Sequence, residues 1–301
     1  MAVSPLNPKT SYHARSISLP CESHPYTLKV EEQLEGLLRA SKTTSTTSSL
    51  CHNLGCLKDL FDRVDDLLQF FQTQQALTDD HQERDIINQV LDGSLRLLDV
   101  CGTIREVLSK MMDLVQVLRL SLRRRRGCKS DLKKEVMTYL SSRRQLKKGI
   151  HKCLGQMKGA CLLPIDKGYS VNVVLMLKEV EVITLCVLES LLSFVYGPIT
   201  KSKPRKWSLI CKLMQTKKKT CWVGEDEDSS EVEKVDVALS TFVTQNLCKD
   251  GDTDTGMIRV QRIQTQLEAM EVVIKGLQDG LESVFRSIMK SRVSLLNILS
   301  Q

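Results

Sequence analysis

The chain has 301 residues, of which 42% are hydrophobic but only 4% aromatic, and a formal net charge of +7. Its core must therefore be built mainly from Leu, Val, Ile and Met, as in helix bundles, and the 7 Pro and 15 Gly are too few for a turn-rich β protein. The eleven cysteines stand singly, and there is no secretory signal or Asn-x-Ser/Thr sequon, which indicates a reducing compartment.

The N-terminal 25 residues carry four of the seven prolines and a single acid, Glu22. This composition predicts a disordered arm over 1–25, followed by a single helical-bundle domain over 26–301. A transit peptide is the alternative interpretation, because the arm is hydroxyl-rich and acid-poor, but the Arg-rich amphipathic helix of the mitochondrial kind is missing.

Apolar residues in alternating steps of three and four predict amphipathic helices in the first half of the chain. A short helix over Thr27–Ala40 and a hydroxyl-rich linker over 41–49 precede a second helix from about Leu50 to Gln74. Thr78-Asp79-Asp80 is the expected cap of a long third helix that ends near Leu122. The inward stripe predicted for the second helix is Leu50, Leu54, Leu57, Phe61, Val64, Leu68 and Phe71, and that of the third is Ile87, Val90, Leu97, Cys101, Ile104, Leu108, Met111, Val115, Leu118 and Leu122.

Three further helices are predicted in the second half. They cover about Ser130–Cys161, Val171–Tyr196 and Met257–Leu299, and the last is expected to pack back along the earlier ones. Residues 199–256 form an irregular insert, with short helices at Trp207–Met214 and Glu231–Leu247. The whole predicts an all-α, elongated bundle of about five long antiparallel helices with coiled-coil-like periodicity. No transmembrane span is expected, because the most apolar segment, Val171–Tyr196, contains Lys178, Glu179, Glu181 and Glu189.

Two glycines, Gly276 and Gly280, lie in the last predicted helix. Each weakens a helix by about 1 kcal/mol relative to Ala. They mark either a local weakness or bend, or a place where another helix crosses closely.

The sequence contains no pattern typical of a catalytic, cofactor or metal site. No P-loop, dinucleotide-binding or nucleophile-elbow motif is present, and the spacing of the only Cys/His cluster, Cys51-His52 with Cys56, does not match a zinc knuckle. We therefore expect no enzyme, no cofactor and no metal. A small-molecule binder or enzyme with a pocket between helices is the alternative, although the polar residues Ser94 and Asp99 are explained as variation on a helix face.

Positive charge concentrates where the third predicted helix meets the fourth. Between Arg119 and Lys152, thirteen basic residues are opposed only by Asp131 and Glu135, a net +11 in a chain whose total is +7. This favours an acidic protein partner or an anionic membrane surface, while nucleic acid is less favoured because Tyr139 is the only aromatic residue there. A nuclear localisation signal and a solvated helix tip are alternatives. The predicted contact patch is Arg123, Arg124, Arg125, Arg126, Lys129, Arg143, Arg144, Lys147, Lys148 and Lys152.

A second candidate site lies in the arm, at Arg15-Ser16-Ile17-Ser18-Leu19-Pro20. Phosphorylation of Ser18 by a basophilic kinase would create the R-S-x-pS-x-P pattern that 14-3-3 proteins bind through Arg clusters. The predicted site residues are Arg15, Ser16, Ser18 and Pro20. The alternative is an arm segment that docks on the bundle through Ile17 and Leu19.

The segment from His13 to Pro20 and three further stretches resemble a land-plant family of helical proteins with which the BYPASS proteins are grouped. The other stretches are 95–102 (LRLLDVCG), 139–144 (YLSSRR) and 281–297, whereas 201–254 matches no family motif. The resemblance implies no established enzymatic activity and a role in root and shoot development, by restraining a mobile root-derived signal. We therefore expect a non-catalytic regulatory protein in the cytoplasm, with nuclear and plastid locations as alternatives.

Overall fold

The computed structural model describes residues 25–40, 46–78, 81–124, 129–160, 172–197, 230–245 and 253–300. These residues form eight helices and no strand, so the all-α prediction is confirmed; five of the helices exceed 20 residues, and three shorter ones accompany them. The helices are α1 (Pro25–Ala40), α2 (Thr47–Leu68), α3 (Phe71–Thr78), α4 (His81–Arg124), α5 (Lys129–Ala160), α6 (Asn172–Tyr196), α7 (Glu231–Gln245) and α8 (Thr253–Leu299).

The two longest helices, α4 and α8, form the central pair of the fold. Every residue of the stripe predicted from Ile87 to Leu122 is buried, because one face of α4 packs against other helices along its whole length. Arg105 pairs with Glu282 at 2.7 Å, and Arg123 pairs with Glu268 at 2.7 Å. Residue numbers rise along α4 as they fall along α8, so the two helices are antiparallel and α8 packs back as predicted.

Helix α2 crosses α8 closely at Gly280. A Cβ added at Gly280 would lie 3.0 Å from Cδ1 of Leu54, whereas one at Gly276 would lie 3.7 Å from Sγ of Cys51, an ordinary contact. Ser294 donates to Asp65 at 2.6 Å farther along the same pair, so α2 and α8 run in the same direction. The close-crossing interpretation is therefore correct at Gly280.

The prediction of one continuous helix to Gln74 is wrong. α2 ends at Leu68, and the side chain of Gln74 donates to the Leu68 carbonyl at 3.0 Å, which satisfies one of the free acceptors at the helix end. The break changes the phase of the helical stripe. Phe71, predicted to be buried, is 76% exposed, and Thr73 and Leu77 are buried instead.

Helix α6 packs against α1, α2, α4 and α5. α6 ends at Tyr196 and is followed by Gly197, whose φ of 82° is the left-handed conformation that glycine favours after a helix. The predicted short helix at Glu231–Leu247 is confirmed as α7, which packs on α5 and α8. No helix within the described ranges is long and apolar enough to cross a membrane.

Several predictions concern residues outside the described part of the chain. These are the arm over 1–24, the linker over 41–45, the cap residues Asp79 and Asp80, and the helix at Trp207–Met214. Thr78, the first residue of the predicted cap, is the last residue of α3.

Candidate functional site

The predicted basic patch divides into cations that pair with acids of other helices and cations that pair with no described residue. Arg125 and Arg126 lie outside the described residues, as does the side chain of Lys129. Among the rest, the cations that pair with acids of other helices are Arg123, Arg143 and Lys147, and the exposed cations without such a pair are Arg124, Arg144, Lys148 and Lys152.

Arg123 holds the end of α4 against α8. Its guanidinium lies 2.7 Å from Glu268, and Arg119, one turn earlier, pairs with Glu271 and lies 4.0 Å from Glu268. Gln116 donates to Glu271 at 3.1 Å. Arg123 is therefore an ion-paired residue of a helix interface, which differs from the free surface cation expected from the sequence.

Arg143, which the sequence places in the surface patch, is buried, with only 2% of its side chain exposed, so it offers no surface to a partner. Its Nη2 donates to the carbonyls of Val195 and Tyr196, the latter at 3.3 Å. Its Nε lies 3.3 Å from the Asp236 carboxylate of α7. A cation at the C-terminus of α6 satisfies free carbonyls and complements the helix dipole, so Arg143 joins α5, α6 and α7.

Two residues of α5 flank Arg143 at a spacing of four. Lys147 lies 2.9 Å from Asp236 and 5.9 Å from the centre of the Tyr196 ring. Tyr139 is buried, and its hydroxyl has no hydrogen-bond partner among the described residues. Burial, together with the Asp236 charge, raises the pKa of Tyr139 far above its usual value, although Arg143 opposes this. Tyr139 thus stays neutral, and the cluster is suited to holding helices together.

The opposite face of α5 presents Arg144, Lys148 and Lys152 to solvent. They are spaced four residues apart, so they lie on one side of the helix and span about 12 Å. None of the three forms an ion pair with any described residue. The only acids of α5 are Asp131 and Glu135, in its first two turns. We call Arg144, Lys148 and Lys152 the α5 basic face.

A small cavity of about 30 Å³ lies between α2, α4, α6 and α8, which is space for about two water molecules. Arg292 donates to Ser94 at 2.9 Å and also to a backbone carbonyl of α4. Arg96 pairs with Glu181 at 2.9 Å, and a Cβ on Gly93 would overlap that carboxylate. Ser94 therefore accepts a hydrogen bond from the half-buried Arg292. The interpretation of Ser94 as variation on a helix face did not include this contact.

The Cys/His cluster lies near the start of α2. Sγ of Cys56 is 3.4 Å from Nε2 of His52, and burial raises the pKa of both Cys51 and Cys56. Over the ranges that the structure describes, no group of three or more His, Cys, Asp or Glu side chains is arranged to hold a metal ion.

The 14-3-3 motif, with Arg15, Ser16, Ser18 and Pro20, lies outside the described residues. It therefore stays a prediction, and the candidate site rests on α5.

The described residues define an all-helical protein in which some cations of the basic patch pair across helix interfaces, while three others form one exposed face of α5. The family model described as Protein BPS1 matches residues 53–298, more than half of the chain, and the chain belongs to this family. This confirms the resemblance to the BYPASS-related plant proteins, and the matched region includes all of α5. No curated protein matches the chain, and neither does any solved structure.

Proposed function

We propose that this chain is a non-catalytic interaction protein that regulates root and shoot development in plants, and that it binds a protein partner in the cytoplasm through the α5 basic face. The observation that carries the proposal is that Arg144, Lys148 and Lys152 are exposed and form no ion pair with the described residues, whereas Arg123, Arg143 and Lys147 do. Membership of the BPS1 family supports the developmental role.

The positions of the side chains with perturbed pKa values support a role without catalysis. Catalytic sites usually gather groups of perturbed pKa around a concave pocket. Here burial raises the pKa of Cys101 to about 12 and that of Tyr139 higher still, which keeps both protonated. Neither residue lines the cavity between α2, α4, α6 and α8, and that cavity has space for about two waters.

The experiment that tests this function compares the tagged full chain with a triple variant, Arg144→Gln, Lys148→Gln and Lys152→Gln, in affinity purification from plant tissue. A matched control carries Lys110→Gln, Lys275→Gln and Arg286→Gln, which removes the same charge from exposed residues. Those three each pair with an acid one turn away on their own helix, and such pairs contribute little stability.

The expected result is a stoichiometric partner that the α5 variant loses and the control retains. Equal recovery of every co-purified protein by both variants would refute the α5 basic face as the contact surface. The Arg123–Arg126 stretch is less suitable for this test, because Arg123 pairs with Glu268 and its loss would also disturb the interface between α4 and α8.

A further inference from the structure

We propose that the α5 basic face binds an acidic α-helix of a partner protein, whose carboxylates recur about once per helical turn. This inference rests on the proposed function, because it names the chemistry of the partner at the same surface. It follows from two places within the chain where cations of the same spacing already receive acids of a neighbouring helix.

The first of these places is the interface between α4 and α8. Arg119 and Arg123 lie one turn apart on α4, and Glu268 and Glu271 lie about one turn apart on α8. Arg123 contacts Glu268 at 2.7 Å, and Arg119 pairs with Glu271 and reaches Glu268 at 4.0 Å. Two cations at i and i+4 thus receive two carboxylates presented by a second helix.

The second place is the contact between α5 and α7. Arg143 and Lys147, again at i and i+4, hold Asp236 of α7 between them, at 3.3 Å and 2.9 Å. The carboxylate lies between the two cations, so a single acid on the approaching helix engages both. α5 therefore already binds one helix in this way, on its inner side.

The α5 basic face repeats the spacing on the outer side, shifted by one residue. Arg144 with Lys148, and Lys148 with Lys152, form two successive i and i+4 pairs, all exposed. A Cβ added at Gly149 would meet no atom of the described residues within 4 Å, so none of the described helices covers this side of α5. A helix with two carboxylates one turn apart can place one in each of the two gaps, by the geometry that Asp236 already adopts.

A membrane surface fits this face less well than a helix does. Helices that bind at the membrane interface bury bulky apolar side chains beside their cations. Within the described side chains of α5, Met137 is the only exposed large apolar one, and it lies about two turns before Arg144. Met137 lies on the same side of the helix as Arg144, but a single apolar side chain two turns away offers little to insert into a bilayer.

The test measures binding of the full chain to two labelled, Ala-rich peptides of about 20 residues, long enough for helix formation to be checked by circular dichroism. Both peptides contain the same number of Glu residues. One places them on a single helical face at every fourth position, and the other distributes them around the helix. Vesicles of phosphatidylcholine with about 30% phosphatidylserine form a third arm.

At about 50 mM salt, we expect the single-face peptide to bind about fivefold to thirtyfold more tightly than its isomer, because several individually weak exposed pairs act together. The preference should disappear in the Arg144→Gln, Lys148→Gln and Lys152→Gln variant and persist in the Lys110→Gln, Lys275→Gln and Arg286→Gln control. The charge-reversed variant Arg144→Glu, Lys148→Glu and Lys152→Glu should instead prefer a peptide with Lys on one face.

Equal affinity for the two acidic peptides would overturn the inference of a helical partner, and would leave the proposed function to be decided by the plant purification. Binding to the vesicles without binding to either peptide would also overturn it, in favour of a membrane surface. If no arm binds and the plant purification recovers the same proteins with all variants, the inference and the proposed function both fail.

Discussion

Replacement of Arg143 by Ala should destabilise the fold strongly, whereas the same change at the adjacent Arg144 should not. Arg143 is 2% exposed, pairs with Asp236 at 3.3 Å and donates to the carbonyls of Val195 and Tyr196. Removal of one member of a buried ion pair costs about 3–5 kcal/mol. The two carbonyls at the end of α6 also lose a charged donor, while Lys147 still neutralises Asp236 at 2.9 Å, so we expect a loss within that range.

The assay is urea unfolding of the full chain followed by circular dichroism, with the melting temperature as a second measurement. A melting temperature changes by about 2 °C per kcal/mol in a chain of this size, so Arg143→Ala should lower it by about 6–10 °C. Arg144→Ala is the matched control, because exposed substitutions usually change stability by less than about 0.5 kcal/mol.

Asp236→Asn should lower the free energy of unfolding less than Arg143→Ala does, since Arg143 still donates to the two carbonyls of α6. The double variant should lose less than the sum of the two single losses, because the residues belong to one network. If Arg143→Ala and Arg144→Ala unfold at the same urea concentration, the assignment of Arg143 to an internal anchor is refuted.

Three further predictions concern the interior. Gly276→Ala should stabilise the fold by about 0.5–1 kcal/mol, whereas Gly280→Ala should be less stable than Gly276→Ala by about 1 kcal/mol or more, because its Cβ would press on the buried Leu54; equal urea midpoints would contradict this. Burial, and to a lesser extent a neighbouring carboxylate, raises the pKa of Glu179 above 4.5 in the folded state, so its ionised form opposes folding at higher pH. Glu179→Gln should therefore be more stable than the wild type near pH 7 and equal to it near pH 4, and an equal gain at both would exclude this cause. Cys101, whose pKa is about 12, should resist iodoacetamide at about pH 8 until urea unfolds the chain; peptide mass spectrometry of the native protein would detect early alkylation.

The helical architecture could be predicted because it depends on local periodicity. Every residue of the α4 stripe is buried, and the short helix predicted at Glu231–Leu247 is present as α7. The break after Leu68 was missed, since no Pro or Gly marks it and a side-chain hydrogen bond from Gln74 accompanies it. Periodicity carries no information about such a contact, so the stripe predicts a buried Phe71 where the structure has an exposed one.

The division of the basic residues could not be predicted, because it depends on partners far away in sequence. Asp236 is 93 residues from Arg143, and Glu268 is 145 residues from Arg123. The acids themselves gave a partial signal, since Glu268 and Glu271 lie about one turn apart on α8. Unless it is known that α8 packs against α4, the sequence does not show whether these two glutamates pair with α4 or face solvent.

The neighbouring residues Arg143 and Arg144 show why net charge overstates the surface available to a partner. Successive residues of an α-helix point about 100° apart, so the docking of α5 against α6 and α7 buries one guanidinium and exposes the next. Lys147 and Lys148 repeat this difference one turn later. Within the +11 segment, Arg119 and Arg123 join α4 to α8, and Arg143 and Lys147 join α5 to α7. The α5 basic face adds three exposed cations that a partner can reach. Since exposed charges are screened by salt and each contributes little, a partner held by this face should exchange rapidly and dissociate as ionic strength rises.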